Sequence, residues 1–326
     1  MSVATMSDIK LMILMPVFND WQALSLLLPS LEHELKTSGL RAGLLLVDDG
    51  STVKLPESFS SKPLPSIASI DVLSLRRNLG HQRAIAVGLS YIEVNYPDCS
   101  VVIMDSDGED SPKDVPQLVR ECLAHNGEKI VFAARTRRSE GLAFTFFYHL
   151  YRFVHLLLTG IPVRVGNFSI VPPGALKRLV VVSELWNHYA AAVHKAKLPM
   201  SLIPTERSER LEGTPRMDLV SLVVHGLSAM AVFGDRIGVR LLILVSLGML
   251  LTVAALVAVA TIRITTDLAI PGWATYVSGL LLVMLMQMLL VVLVFVFAIL
   301  AARNAVNVIP TRDYIHIMGD VRRIYG

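Results

Sequence analysis

Two aspartates one residue apart, Asp105 and Asp107, follow the apolar run Val101-Val102-Ile103-Met104. In an extended chain alternate side chains share a face, so both carboxylates reach one small volume. Two hard oxygen ligands suit Mg2+ or Mn2+ carrying a diphosphate, since such ions are held by one or two carboxylates and the substrate's own oxygens. An Asp-x-Asp is also an ordinary polar turn after a buried strand. What stands beside the pair decides between the two.

The flanking pattern is strand alternating with helix. Leu11 to Pro16 and Leu44 to Val47 are continuous apolar runs, as buried parallel strands are. Trp21 to Leu35 has helical spacing. Ser51 to Ser69 is rich in Ser and Pro and reads as a loop. Ile70 to Leu75 is a third strand, and Gly80 to Glu93 a helix with Asn78 as its expected cap. A further helix opens at Pro112, and Lys129 to Ala134 is another strand. This order predicts an α/β fold with a mostly parallel sheet covered on both faces. Ligands bind such sheets at the carboxyl ends of the strands. Pro16, Asp48, Asp49, Asp105, Asp107 and Arg135 all fall at those ends and should line one rim.

The composition sets further bounds. Across 326 residues the hydrophobic fraction is 53% and the mean hydropathy +0.56, too apolar for an ordinary soluble enzyme. The excess lies after about residue 240. Leu241 to Ile262 and Val277 to Ala302 are each long and apolar enough to span a bilayer. Arg236 and Arg240 precede the first, and Arg303 and Arg312 follow the second, which places both chain ends in the cytoplasm. Small residues of the first span (Gly248, Ala254, Ala255, Ala258) could join copies into a homo-oligomer. Residues 142–159 mix aromatics with His149, Arg152 and His155, which suits a helix lying among lipid headgroups or a core helix on the sheet. Residues 218–240 read as a second interfacial helix. The expected domains are thus 1–217, 218–240, 241–302 and a cytoplasmic tail, 303–326.

Several classes are excluded. No Gly-x-Gly-x-x-Gly follows the first strand, and neither a P-loop, a His-Glu-x-x-His nor a Cys-x-x-Cys occurs. A net charge of +3 without basic runs interleaved with aromatics gives no nucleic-acid signature. Leu11 to Met15 lacks the basic flank and cleavage site of a signal peptide. Cys99 and Cys122 read as reduced thiols, and His188 as an ordinary core or surface residue.

At Met15-Pro16-Val17-Phe18-Asn19-Asp20, Val47-Asp48-Asp49-Gly50-Ser51 and Met104-Asp105-Ser106-Asp107 the chain resembles family 2 glycosyltransferases of GT-A (Rossmann-like) fold. More narrowly it is similar to the polyprenyl-phosphate glycosyltransferases, the group that includes dolichol-phosphate mannose synthase and bacterial undecaprenyl-phosphate glucosyltransferases. The likeness continues at Arg77-Asn78-Leu79-Gly80-His81-Gln82, at Asp110 to Pro116 and at Arg210-Leu211-Glu212-Gly213-Thr214-Pro215-Arg216, and in the paired C-terminal spans. It implies a donor site of Pro16, Phe18, Asp20, Asp48, Asp49, Ser106 and Asp107, closed by Arg210 and Arg216. It implies a Mg2+ or Mn2+ ion on Asp105, Asp107 and Glu109. Arg135, Arg138 and Arg152 would receive the lipid phosphate, and Asp105, Asp107 and Arg135 would carry catalysis. The implied reaction moves a hexose, UDP-glucose being the first choice of donor, to polyprenyl phosphate at the cytoplasmic membrane face. A GDP-mannose donor and a catalytically silent scaffold are the alternatives. Two departures stand out: Gly108-Glu109 replaces the family's Leu-Gln after the aspartates, and Pro215-Arg216 replaces Ser-Lys.

Overall fold

The computed structural model describes residues 10–56, 59, 63–135, 152–161, 165–206, 208, 210–212, 219–266, 270, 272–304 and 307–326. The chain divides into two compact units. The first holds the sheet and includes Asn307–Gly326, and the second joins Arg152–Ile161 to Phe233–Val306.

In the first unit, β1 (Leu11–Val17) is buried along its whole length. Its two faces feed two separate apolar clusters. Leu11, Ile13, Met15 and Val17 meet α1 (Trp21–Thr37) through Leu24, Leu27, Leu28, Leu31 and Leu35. Met12 and Leu14 meet α2 (His81–Asn95) through residues such as Ala84, Ile85 and Leu89. A strand covered on both sides needs no polar alternation, which is why it reads as an unbroken apolar run. β2 (Ala42–Asp48) and β3 (Ile67–Leu75) continue the sheet on one side of β1, and β4 (Ser100–Ile103) lies on the other.

The eight strands run in the order β7-β5-β6-β4-β1-β2-β3-β8, with β5 at Ile130–Arg135, β6 at Ser169–Val171, β7 at Met200–Thr205 and β8 at Met318–Tyr325. β4, β1, β2 and β3 are mutually parallel. β6 is antiparallel to both β4 and β5, so the direction reverses twice. β5 and its parallel neighbour β7 therefore point the same way as β4. The carboxyl ends of six strands share one rim, and Arg135 at the end of β5 lies on it. Three further helices, α3 (Val115–Ala124), α5 (Pro173–Leu179) and α6 (Tyr189–Lys195), complete the cover.

Some boundaries differ from the sequence reading. β1 runs through Pro16 to Val17, because the proline's missing donor is tolerated where its neighbours still pair. Asn78 does not cap α2: Gly80 holds the cap position at φ 92 with no side-chain cap. The helix expected at Pro112 is a short 3-10 turn, Pro112–Asp114, that leads into α3.

The segment read only as a tail forms β8, antiparallel to β3. Arg323 places a fork on Asp71 of β3 at 2.8 and 3.2 Å, and the Tyr96 hydroxyl donates to the same carboxylate. An arginine–carboxylate fork is among the stronger polar contacts, and here it fastens an edge strand whose Met318, Val321, Ile324 and Tyr325 pack half-buried on the two cores.

In the second unit, α8 (Gly234–Thr265) and α9 (Trp273–Asn304) each have 32 residues. At about 1.5 Å per residue they exceed the roughly 30 Å of a hydrocarbon core. Their most apolar windows have mean hydropathies of 2.8 and 3.1 and are almost wholly unburied. Gly248 faces Met288, and Gly238 faces Ile299, so these glycines let α8 and α9 approach each other. Gly248 thus serves the packing of the hairpin itself. α4 (residues 152–159) exposes Phe153, Leu156 and Leu157, and its Leu157 carbonyl accepts from Arg240. The earlier part of the expected 142–159 helix lies outside the described residues. The expected 218–240 helix is broken: α7 (Leu219–Ala231) ends before the buried Val232 and Phe233, and α8 begins at Gly234.

Both cysteines are free thiols. Burial pushes the Cys122 thiol up to about 11. At pH 8 the native protein should therefore leave Cys122 unalkylated by iodoacetamide, while the denatured chain labels at both sites by mass spectrometry.

Candidate active site

The rim begins where β1 gives way to α1. Asn19 adopts φ 55, a left-handed conformation that asparagine tolerates better than most residues. Its side-chain oxygen accepts from the backbone N–H groups of Thr52 and Val53 at 2.8 and 2.9 Å. Its own N–H donates to the Ser51 hydroxyl. This clamp ties the loop after β1 to the loop after β2, and so sets Phe18 and Asp20 beside Asp48. Phe18 is exposed on the rim. Asp48 accepts the Ser51 N–H through Oδ1 at 2.9 Å.

Asp49 is turned inward. Its two oxygens accept the N–H groups of Leu79 and Gly80 at 2.7 and 2.9 Å, and it is buried. Burial raises its carboxyl above the usual range against the pull of those two bonds. It thus supports the loop that opens α2. Asp49→Ala should lower stability by about 2–3 kcal/mol, the scale of two lost charge-assisted bonds. A thermal scan in detergent measures this, and a shift of under one degree would contradict it.

On the other side of β1, Ser106 is also inward. Its hydroxyl donates to the Pro16 carbonyl at 2.9 Å, which fixes the turn after β4 against β1. The Asp110 carboxylate accepts the Asp105 N–H at 2.9 Å, and the Asp107 carboxylate accepts the Glu109 N–H at 3.0 Å. These local bonds close a tight turn in which Gly108 has φ 88. The departure at Gly108 is thereby explained: a Cβ there would meet the Leu211 side chain at 2.5 Å.

Leu211 belongs to the segment after β7. Its N–H donates to the Asp107 carbonyl, and the Ser208 N–H donates to the Glu109 carbonyl. The same segment delivers Arg210, whose guanidinium bridges Asp107 at 3.1 Å and Asp20 at 2.9 Å. Its Nε donates to the Glu212 carbonyl at 2.8 Å. Three residues from distant parts of the chain, Asp20, Asp107 and Arg210, meet here. All three side chains are largely covered, at 15–18% exposure.

Burial raises the Asp107 carboxyl above the usual range, and the Asp105 charge adds to it. The Glu109 N–H and Arg210 pull the other way. His81, the first residue of α2, stands 3.2 Å from Asp105 and 3.0 Å from the Asn167 amide. Burial opposes its charging, yet Asp105, Asp110 and Asp107 outweigh that and raise its pKa. Aspartates crowded at a strand-end rim, with Arg210 on one and His81 on the other, fit a divalent ion held jointly with phosphate oxygens. Among the described residues no three His, Cys, Asp or Glu side chains form a ready cluster.

The remaining expected residues divide. Arg135 ends β5 on the rim. Arg152 lies in α4 of the second unit. Arg138 and Arg216 fall outside the described residues. Asn19, His81 and Asp110 lie inside motifs that the sequence offers, but without a role assigned to any of them, and Asn167 lies outside every motif. The His81–Asn167 contact joins residues 86 apart.

A mostly parallel α/β sheet of GT-A type, with acidic strand ends on one rim, is the frame of a nucleotide-sugar-dependent transferase. Glycosyl transferase family 2 matches residues 12–179, and the chain belongs to that family. It is 23% identical over 291 residues to the uncharacterized glycosyltransferase YkcC of Bacillus subtilis (strain 168), covering 85% of this chain and 86% of that protein. It is 28% identical over 133 residues to the undecaprenyl-phosphate 4-deoxy-4-formamido-L-arabinose transferase of Photorhabdus laumondii. That match covers 41% of this chain and only 39% of the relative. Among solved structures, glucosyl-3-phosphoglycerate synthase from Mycobacterium tuberculosis with Mn2+, UDP-glucose and phosphoglyceric acid is similar at TM-score 0.48. The identity is 16%, over 73% of this chain and 85% of that one.

Proposed function

We propose that the protein transfers a hexose from a nucleotide sugar, UDP-glucose first, to polyprenyl phosphate at the cytoplasmic face of a membrane. The observation that carries this is the meeting of Asp20, Asp107 and Arg210 at a strand-end rim, in a chain that also bears two bilayer-length apolar helices. The acceptor class is supported by the undecaprenyl-phosphate relative.

In this reading a phosphate oxygen of the acceptor attacks the anomeric carbon. The bond from that carbon to the diphosphate breaks, the electron pair leaves with the nucleoside diphosphate, and the centre inverts. The nucleophile is anionic at neutral pH, so the site needs no general base. Asp105 and Asp107 would hold a Mg2+ or Mn2+ ion, which when bound neutralises charge on the leaving diphosphate. Arg210 moves from its carboxylates to the diphosphate, and Arg135, with Arg138 or Arg152, holds the acceptor phosphate. Bidentate donors suit the task of keeping two phosphates close.

Connectivity supports the membrane arrangement. β8 follows the hairpin and pairs with β3, which precedes it, so a hairpin that crosses must also return. Arg236, Arg240, Arg303 and Arg312 at its base favour the cytoplasmic side for the sheet. The test is a screen of labelled nucleotide sugars with purified protein and undecaprenyl phosphate. Label in the organic phase is expected from one donor. Nucleotide-sugar binding with no product from any donor would favour a silent scaffold.

A further inference from the structure

We infer that the groove between the loop after β3 and the C-terminal segment is a docking site for the headgroup of an anionic phospholipid. The groove has a volume of about 290 Å3 and is lined by Arg76, Arg77, Leu79, Trp186, His316 and Ile317. None of these residues belongs to the donor site. The Arg77-Asn78-Leu79-Gly80 stretch therefore has a use beyond opening α2.

The groove is built rather than incidental. Arg76 is fixed at both ends: its N–H donates to the Ile317 carbonyl and its Nε to the Met318 carbonyl, each at 3.1 Å. Trp186 is backed by Arg83, whose guanidinium carbon lies 5.5 Å from the ring centre. The acids of the surrounding segments are already paired, Glu184 with Lys195 at 2.9 Å and Asp313 with Arg312 at 2.7 Å. Arg76, Arg77 and His316 are all exposed. The surface thus presents cations beside an indole and two aliphatic side chains, a mixture that fits a phosphodiester with hydrocarbon attached.

Chain connectivity points to the membrane as the source. Pro310, which opens the short helix α10 (Pro310–Asp313), lies six residues after the end of α9 at Asn304, a reach of at most about 20 Å. α10 leads directly into the 3-10 turn Tyr314–His316 that walls the groove, and the Thr311 N–H holds it to the Val180 carbonyl. Lys195, the partner of Glu184, donates to the Val232 carbonyl, two residues before α8 begins in the chain. Segments of the first unit at or beside the groove thus stand next in sequence to both ends of the hairpin. Val181 and Ile315 on those segments are 55% and 52% exposed.

The inference goes beyond the sugar-transfer reading and stands without it. The test is amide hydrogen exchange of the full chain in nanodiscs of phosphatidylglycerol or of phosphatidylcholine alone. Residues 76–80, 183–187 and 314–318 should exchange about threefold or more slowly with phosphatidylglycerol. Arg77→Ser should remove the difference while leaving exchange elsewhere unchanged. Equal exchange in the two lipids would overturn the inference. So would slowing reproduced by millimolar inorganic phosphate in phosphatidylcholine, which would make the groove a free-phosphate site.

Discussion

Replacing Asp107 by asparagine is expected to lower kcat/KM for sugar transfer about a thousandfold, the cost of removing one of the two carboxylates that would hold a divalent ion against the leaving diphosphate. The thermal midpoint should stay where it is. Asp107 is already strained toward its neutral form by burial and by Asp105, so an amide of the same shape relieves repulsion as it removes the Arg210 contact. Arg210 keeps Asp20 as a partner. A loss of less than tenfold, with the protein folded, would mean that the diphosphate is held elsewhere.

Arg210→Ala is expected to reduce kcat/KM about a hundredfold, and to leave the segment after β7 less firmly seated on the Asp107 turn. Arg210→Lys should recover only part of this, since an ammonium cannot bridge Asp20 and Asp107 as a planar fork does. The pH profile separates charge from shape. Arg210 lowers the Asp107 pKa, so its removal raises that pKa further. The acid limb of kcat/KM should then move to higher pH in Arg210→Ala and stay put in Arg210→Lys. An unmoved limb in the alanine variant would show that Arg210 does not act on Asp107.

The parts of this fold that announce themselves in sequence are those with one dominant cause. β1 and β2 are apolar because both faces are covered, and α8 and α9 are apolar over lengths that match a hydrocarbon core. β8 has a weaker signature: in Met-Gly-Asp-Val-Arg-Arg-Ile-Tyr the apolar residues are only half-buried against the two cores, and Asp71, Tyr96 and backbone pairing across some 250 residues complete its hold. The site divides in the same way. Asp105 and Asp107 are adjacent in sequence and were visible as a pair. Which aspartates face inward was not, because Asp48 and Asp49 look alike until the loop at Leu79 and Gly80 claims one of them. Likewise the bond from the Glu109 N–H to the Asp107 carboxylate, which helps close the turn, has no sign in the sequence.

The central claim is that an acceptor phosphate oxygen becomes bonded to the sugar at the rim formed by Asp105, Asp107 and Arg210. Phosphorus NMR of short-chain polyprenyl phosphate, incubated with purified protein, nucleotide sugar and Mg2+ or Mn2+, measures this bond directly. The account predicts that the phosphomonoester resonance is replaced by a phosphodiester resonance, and that chelation with EDTA or Asp107→Asn prevents it. Nucleotide sugar consumed with the monoester unchanged, or full conversion in EDTA, would contradict it.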